Sequence, residues 1–318
     1  MSQKNDIPDN LYSIAFYNLD NLFDTIDDPK TLDDEYTPNG NLKWNKKRYN
    51  RKLLKLGSVI REIGLKKTGF SPAIIGVAEV ENRMVLKDLT STDKLIGEKY
   101  GIIHYDSPDE RGIEVAFLYR KSVFEVIDSK PYTLEVYNKG NIRDLTRDIL
   151  YVKGFLQGEL IYFLINHWPS RRMDDIKTEH KRIVAAQLNH QIITEIKKET
   201  PDAKIIIMGD FNDNPTNDSI FKHLVTTDFF NPFKEYYLKG RGSTYHEGKW
   251  HLFDQIIVNN KIMSGKKIKY NNAYIFNKQY LRDWKGKHSG RPFRTYIGKW
   301  FQGGYSDHFP VYITVAVT

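Results

Sequence analysis

The 318-residue sequence predicts an α/β fold in which two mixed β-sheets pack face to face with helices outside. Three observations lead there. Apolar runs of strand length recur along the chain. Some alternate with amphipathic helices as strand-helix-strand units, while others meet across tight turns as hairpins. Several runs also end abruptly in an acid, an amide or an imidazole, which is how a strand delivers polar groups to the rim of a sheet.

Residues 11–17 read as a buried strand closed by Asn18, and the polar stretch DTIDDPKTLDDEYTPNGN that follows reads as a surface excursion. Leu53, Leu56, Ile60 and Ile63 recur at helical spacing. That helix feeds the apolar run AIIGVA, which ends at Glu79. Further strands are expected at 100–105, 112–119, 122–128, 149–157 and 160–166, the last two joined as a hairpin across Gln157-Gly158-Glu159. An amphipathic helix over roughly 175–199 carries Ile176, Ile183, Leu188, Ile192 and Ile196 on or near one face. It leads into Ile205–Met208 and Asp210. After the Asn/Asp/Pro-rich turn 212–218 come a short helix, an aromatic stretch, a strand at 252–258 with Asp254, and a last strand at 309–317 behind Asp307 and His308. No linker, repeat or low-complexity tract divides the chain, so one domain over 1–318 is expected.

The sequence has no cysteine, which excludes disulfides, thiolate nucleophiles and thiolate metal sites. Any metal must then be held by oxygen or imidazole, favouring Mg²⁺ or Mn²⁺, with Ca²⁺ as a third candidate. A net charge of +8 suits a polyanionic partner, and suits a solvated lysine-rich surface equally well. No segment is long and apolar enough to span a bilayer, and no stable membrane association, no obligatory protein partner and a monomer are expected. The opening MSQKNDIPDN lacks the marks of a signal peptide, so the cytoplasm is the default location, with a secreted or periplasmic one if a signal has been removed.

The polar residues at strand ends fall within an ordered series: YNLDNLF around Asn18, AEVEN around Glu79, RGIEVAFLYR at 111–120, INHWPSRR around His167, MGDFND around Asp210 and Asn212, FDQIIV around Asp254, and SDHFPV around Asp307 and His308. Each motif alone is weak, because short runs such as these arise by chance. The seven together, in this order and over nearly the whole chain, resemble the endonuclease/exonuclease/phosphatase superfamily, which includes the pancreatic-type deoxyribonucleases and abasic-site endonucleases.

The resemblance implies a four-layered α/β sandwich with a metal site at one edge of the sheets. It implies Glu79 as the principal metal ligand, Asp307 beside the same ion, and Asn18 aiding the metal shell or a phosphate oxygen; Glu81 is a neighbouring alternative to Glu79. Asp210 is implied as general base or second-metal ligand, Asn212 as a neutral donor to an anionic oxygen, and His308 as base or phosphate-binding imidazolium oriented by Asp254. His167 becomes a phosphate donor or general acid, with Glu114 a candidate to orient it. Asp210 and Asn212 also read as an Asx-turn with Asn214-Pro215 at a strand exit, and Asp213 as turn or cap. Arg111, Arg171 and Arg172 are candidate phosphate donors. The segment YLRDWKGKHSGRPFRTYIGKWFQGGY mixes basic and aromatic residues and is expected to form one wall of the cleft, its rings either stacking bases or packing inward.

The activity these residues imply is divalent-metal-dependent phosphodiester hydrolysis, with a DNA or RNA substrate. The alternative is a phosphatase or phospholipase C-like hydrolase acting on inositol phosphates, sphingomyelin or another small phosphoester. A catalytically dead binding module is a third reading, set against the retention of workable side chains at every matched position.

Overall fold

A computed structural model describes residues 10–171 and 175–318. Two six-stranded sheets carry the fold. Across the first sheet the strands run Ile268–Ile275, Val311–Val317, Leu11–Leu22, Ile74–Val80, Glu114–Arg120 and Tyr100–His104. Across the second they run Phe229–Phe230, Asp254–Asn259, Lys204–Asp210, Glu159–His167, Ile149–Leu156 and Phe124–Tyr132. Each sheet has one parallel pair near its centre: Leu11–Leu22 with Ile74–Val80, and Glu159–His167 with Lys204–Asp210. A parallel pair needs a long crossover, and helices Lys46–Glu62 and Asp175–Glu199 supply the two. The carboxyl ends of both parallel pairs reach the same edge of the sandwich, where open α/β sheets place their ligands.

Side-chain alternation builds the four layers. Ile14 and Phe16 point into the apolar seam between the sheets, with Phe117, Phe163, Ile165, Met208, Ile256, Ile313 and Val315. Ala15 and Tyr17 point the other way, against Leu53, Leu56 and Ile60 of the first crossover helix and Leu86 and Leu89 of helix Arg83–Thr90. On the far side, Ile205, Ile207 and Leu164 pack on Ile192, Ile193 and Ile196 of the second crossover helix. The sandwich is helix, sheet, sheet, helix, as the sequence predicts.

The seam tolerates little change. A Cβ on Gly76 would lie 2.8 Å from Met208 Sδ and 3.3 Å from Ile165 Cγ2, both on the opposite sheet. Gly76→Val is expected to force the sheets apart and cost about 1–3 kcal/mol. A lower urea midpoint at unchanged slope is the corresponding measurement.

Some elements differ from the sequence reading. The hairpin turn contains only Gln157 and Gly158, both at positive φ (50° and 81°), and Glu159 already pairs with Leu156. Helix Arg83–Thr90 is an addition to that reading, although the Asn82 side chain caps it by accepting from the backbone N–H groups of Met84 and Val85. Strand Ile268–Ile275, a second addition, is an edge strand whose polar residues hide the period-2 signal. Short ribbons at Val136–Asn138/Ile142–Asp144, Thr244–His246/Lys249–His251 and Tyr296–Ile297/Trp300–Phe301 decorate the loops.

Candidate active site

Bulges, as much as strand ends, create the site. In Leu11–Leu22, Asn18 pairs with Ala78 and the next pair is Leu22 with Val80, so three residues of one strand face one of the other. On its other side, Ala78 pairs with Val115 and Val80 with Glu114, which leaves Glu79 as an extra residue. Asp20, Asn21 and Glu79 all take left-handed backbone (φ 54°, 56° and 60°), as does Asn212 (φ 51°). Such conformations are uncommon outside glycine and cost about 1–3 kcal/mol each. Here they turn side chains out of the pleat toward one point. Glu79 Oε2 accepts from the Asn21 backbone N–H at 2.9 Å, and Glu79 Oε1 accepts from Asn18 Nδ2 at 3.2 Å.

The second sheet contributes a single rung. Asp210 pairs with His167 on one side and with Asp254 on the other, so all three side chains leave the same face at the same height. Asn18 Nδ2 also donates to Asp210 Oδ2 at 3.0 Å, joining the two sheets. His167 Nε2 stands 3.9 Å from both Glu79 Oε1 and Asp210 Oδ2. His308 enters from the last loop, with Nδ1 2.6 Å from Asp254 Oδ2 and Nε2 3.8 Å from Asp210 Oδ2. Ser243 Oγ donates to Asp254 Oδ2 at 2.5 Å, and Ser306 Oγ donates to the Asn18 carbonyl at 2.7 Å, so the loops are pinned to the sheets.

The electrostatics divide the site into two halves. Burial opposes charge on the His308 ring, but the carboxylates of Asp254 and Asp210 outweigh it and hold the imidazole pKa well above its usual range. Burial pushes Asp210 up to about 6, against the lowering effect of His308. Asp210, Asp254 and His308 place ligand atoms within 4.8 Å of one another. The short His308–Asp254 hydrogen bond and the Ser243 bond already occupy Asp254 Oδ2, so we read this trio as a proton-sharing group rather than a cation cage.

The other half is more acidic. Burial first, and the Asp307 charge second, push Asp20 up to about 6, with Glu79 adding to the effect and Lys52 opposing it. Lys52 comes from the first crossover helix, is buried, contacts the Asp20 carbonyl, and donates to Thr295 Oγ1 at 2.8 Å. Desolvation opposes charge on the half-buried Asp307 too, yet the Arg294 guanidinium, 2.6 Å from Asp307 Oδ2, leads the charges that draw its carboxyl below the usual range. Oxygen donors from Asp20, Glu79 and Asp307 crowd one pocket whose mutual repulsion a hard dication would relieve.

Other expected residues sit further from the centre. Glu81 turns away to accept from the Asp24 backbone N–H at 2.5 Å. Arg171, expected to face phosphate, instead buttresses the turn after Asp210: its Nε donates to the Asn212 carbonyl at 2.7 Å, and its NH2 pairs with Asp213. Asp213 is buried in that turn, also held by Arg182 and Ser219. Asn212 donates its backbone N–H to Asp210 Oδ1 at 2.9 Å and its Nδ2 to the Trp168 carbonyl at 2.9 Å, an Asx-turn that also braces Asp210. Arg111 is 3.4 Å from Asp109 Oδ1 and lines a cleft of about 790 Å³ with Arg147, Lys139 and Lys181 beyond Pro169. Glu114, considered as a partner for His167, is buried beside Ser107, with Asp109 and Arg147 as its charged neighbours. Arg172 lies outside the described residues.

Sequence reasoning missed Asp20, Lys52 and Arg294. Asp20 stands in the YNLDNLF motif, two residues from Asn18, and was legible there. Lys52 looks like one more charge on a basic helix, and Arg294 like one of many in the aromatic segment.

That segment splits between the two readings given to it. Tyr296, Phe301 and Tyr305 pack against the outer core, while Trp284 and Trp300 are 69% and 75% exposed. Lys285 Nζ lies 3.9 Å from the centre of the Trp284 ring.

A search of curated protein sequences returns no match. Among solved structures, truncated TDP2 from Caenorhabditis elegans is similar over 98% of this chain and 100% of its own, with a TM-score of 0.60 at 16% identity. A humanized TDP2 from D. rerio gives 0.59 at 15% identity, covering 97% of this chain and 100% of its own. A mannosyl-6-phosphatase from Bacteroides thetaiotaomicron gives 0.57 at 16% identity, covering 96% and 99%. At these identities the likeness is one of fold. A sequence model described as the endonuclease/exonuclease/phosphatase family matches residues 13–317, which is nearly the whole chain, and the protein therefore belongs to that family.

Proposed function

We propose that this protein is a divalent-metal-dependent phosphodiesterase and that its substrate is DNA or RNA. The observation that carries the reading is the convergence of Asn18, Glu79, Asp210, Asp254, Asp307 and His308, from both sheets and the last loop, on one edge of the sandwich. The nucleic-acid half of the proposal rests on the net charge of +8 and on the exposed Trp284 and Trp300 beside basic groups, a surface suited to stacking bases along a phosphate backbone.

Glu79 and Asp307, with Asp20, fit Mg²⁺ or Mn²⁺, and Ca²⁺ by the same donor chemistry; such an ion, when bound, neutralises charge growing on the phosphate. Asp210 is the proposed acceptor of the proton from the attacking water. Its pKa near 6 leaves it mostly ionised at neutral pH while keeping it more basic than a surface aspartate. His308, charged and fixed at Nδ1 by Asp254, turns Nε2 toward the same point and donates to a non-bridging phosphate oxygen. The raised His308 pKa is why the base role passes to Asp210. His167, across the rung, is the proposed donor of a proton to the departing oxygen. Asn18 holds the carboxylates of Glu79 and Asp210 in register, and Arg171 acts on the reaction by fixing the Asn212 turn.

The test is a parallel assay of the purified protein with Mg²⁺ and Mn²⁺ on plasmid DNA, single-stranded DNA, RNA, bis-p-nitrophenyl phosphate, p-nitrophenyl phosphate and sphingomyelin. Turnover of the nucleic acids and the diester is the expected result. Hydrolysis confined to monoesters or to the lipid would transfer the assignment to the phosphatase or phospholipase C-like alternative.

Metal binding should also report the two site carboxylates whose pKa is raised. Asp20 and Asp210 have folded pKa values raised to about 6. Unfolded aspartates titrate near 4, so these two groups make metal-free stability fall as pH rises from about 4 to about 6, and level off above that. Below about 6 protons compete with the cation. The rise in Tm caused by saturating Mn²⁺ is therefore expected to be small at pH 5 and to grow through pH 6 toward pH 7.5. Equal increments at both ends would contradict the assignment.

A further inference from the structure

Arg294 has no counterpart in the chemistry assigned so far, yet it occupies a commanding position. It lies in the aromatic segment between Asp254 and Asp307, and its guanidinium reaches 2.6 Å from Asp307 Oδ2. The next residue, Thr295, donates its backbone N–H to Asp20 Oδ2 at 3.0 Å and accepts from Lys52 at its hydroxyl. The Arg294 backbone is itself fastened, its carbonyl accepting from the Gly304 N–H at 3.1 Å. The side chain is only partly covered, 37% exposed, and it borders a cavity of about 210 Å³ shared with Asp307, Arg291, His288 and Tyr245. A loop thus delivers a permanent cation to the carboxylates proposed to hold the metal, with open space behind it. The guanidinium feels Asp307, Asp20 and Glu79 together, and their charges raise its already high pKa.

We propose that Arg294 is the resident cation of the acidic pocket: it competes with the divalent ion for Asp307 and, once displaced, becomes the anchor for a phosphate oxygen of the substrate. This rests on the reading of Glu79 and Asp307 as metal ligands. Two cations cannot share Asp307 Oδ2 without repulsion, and at these separations in a mostly buried pocket that repulsion is substantial. A guanidinium released there faces the bound substrate, where its planar fork matches phosphate oxygens. The loop then sets both how tightly the ion is held and how well the phosphoester binds, with opposite signs. A residue that merely braced the loop would weaken both.

The experiment titrates MnCl2 into the metal-free full-length protein by calorimetry, for wild type, R294Q, R294M and R294K, with circular dichroism confirming the fold of each. The same four are then assayed on bis-p-nitrophenyl phosphate at saturating Mn²⁺. The two neutral variants are expected to bind Mn²⁺ at least about fivefold more tightly than wild type, and R294K to stay within about twofold. The KM for the diester is expected to rise by about tenfold in the neutral variants. Unchanged or weaker Mn²⁺ binding in the folded neutral variants overturns the inference, including the case in which no protein binds the ion. Wild type that binds Mn²⁺ but cleaves no phosphoester would sink the proposed function alone, because the titration still reads the competition at Asp307.

Discussion

Asp210→Asn is expected to lower kcat for diester hydrolysis by about 10²–10⁴-fold, the range lost when a positioned general base is removed. Few substitutions alter this molecule's shape less. Both carboxylate oxygens of Asp210 act as acceptors, Oδ2 from Asn18 Nδ2 and Oδ1 from the Asn212 backbone N–H. An amide offers one acceptor and sets an N–H₂ group against a donor on the other side, costing about 1–3 kcal/mol. Against that, the substituted amide would carry no charge at a site where burial already disfavours it. The two effects oppose each other, so the melting temperature should move by only a few degrees while turnover collapses. The pH profile is the sharper readout. Wild type should gain activity as pH rises through about 6, where Asp210 ionises, and the residual activity of the variant should lose that limb. Full activity in a folded Asp210→Asn protein would remove the base assigned here.

Glu79→Gln should produce the other large loss, on the order of 10²–10³-fold at limiting metal and partly recovered at high Mn²⁺. The carboxylate is held at both oxygens by donors, Asn21 N–H and Asn18 Nδ2, so a glutamine must again turn its N–H₂ group toward one of them. The side chain therefore loses charge and aim together. Because it projects from a bulge at positive φ, the next acid along the chain cannot take its place: Glu81 is two residues on and bonded to the Asp24 backbone. Calorimetric titration with Mn²⁺ would show the weakened binding directly. An unchanged affinity would take Glu79 out of the proposed ligand set.

What the sequence disclosed, and what it hid, follows from the range of the forces involved. Hydrophobic alternation is local, so Ile14 and Phe16 against Ala15 and Tyr17 announce a strand buried on both faces, and the leucine spacing of helix Lys46–Glu62 announces its inner side. The order of layers follows from strand-helix-strand units and needs no further input. Asn18, Glu79, His167, Asp210, Asp254, Asp307 and His308 were nameable because each stands in a motif in or beside an apolar strand. That they share one pocket was implied only by resemblance. The bulges at Asp20–Asn21 and Glu79 have no periodic signature, being departures from a period. Lys52 acquires its meaning from Thr295, far away in sequence, and Arg294 from Asp307, Asp20 and Glu79 together, of which only Asp307 is near it in the chain, so no short window of sequence contains the whole cluster. Arg171 shows the converse. Its motif suggested phosphate, whereas Asn212 and Asp213 arrive from a distant turn and claim it.

The rung that carries His167, Asp210 and Asp254 has a consequence for how such a protein diversifies. Their spacing is inherited from the backbone ladder, and a one-residue slip would throw the apolar seam into solvent at the same time. Whatever keeps the core folded therefore also keeps these three side chains in register. Loops that carry no residue of the site can lengthen, shorten or exchange their side chains with little effect on this rung. A sandwich matching nearly end to end with TDP2 and with a mannosyl-6-phosphatase, at 16% identity to each, is the pattern this uncoupling permits: one backbone frame kept while most side chains change.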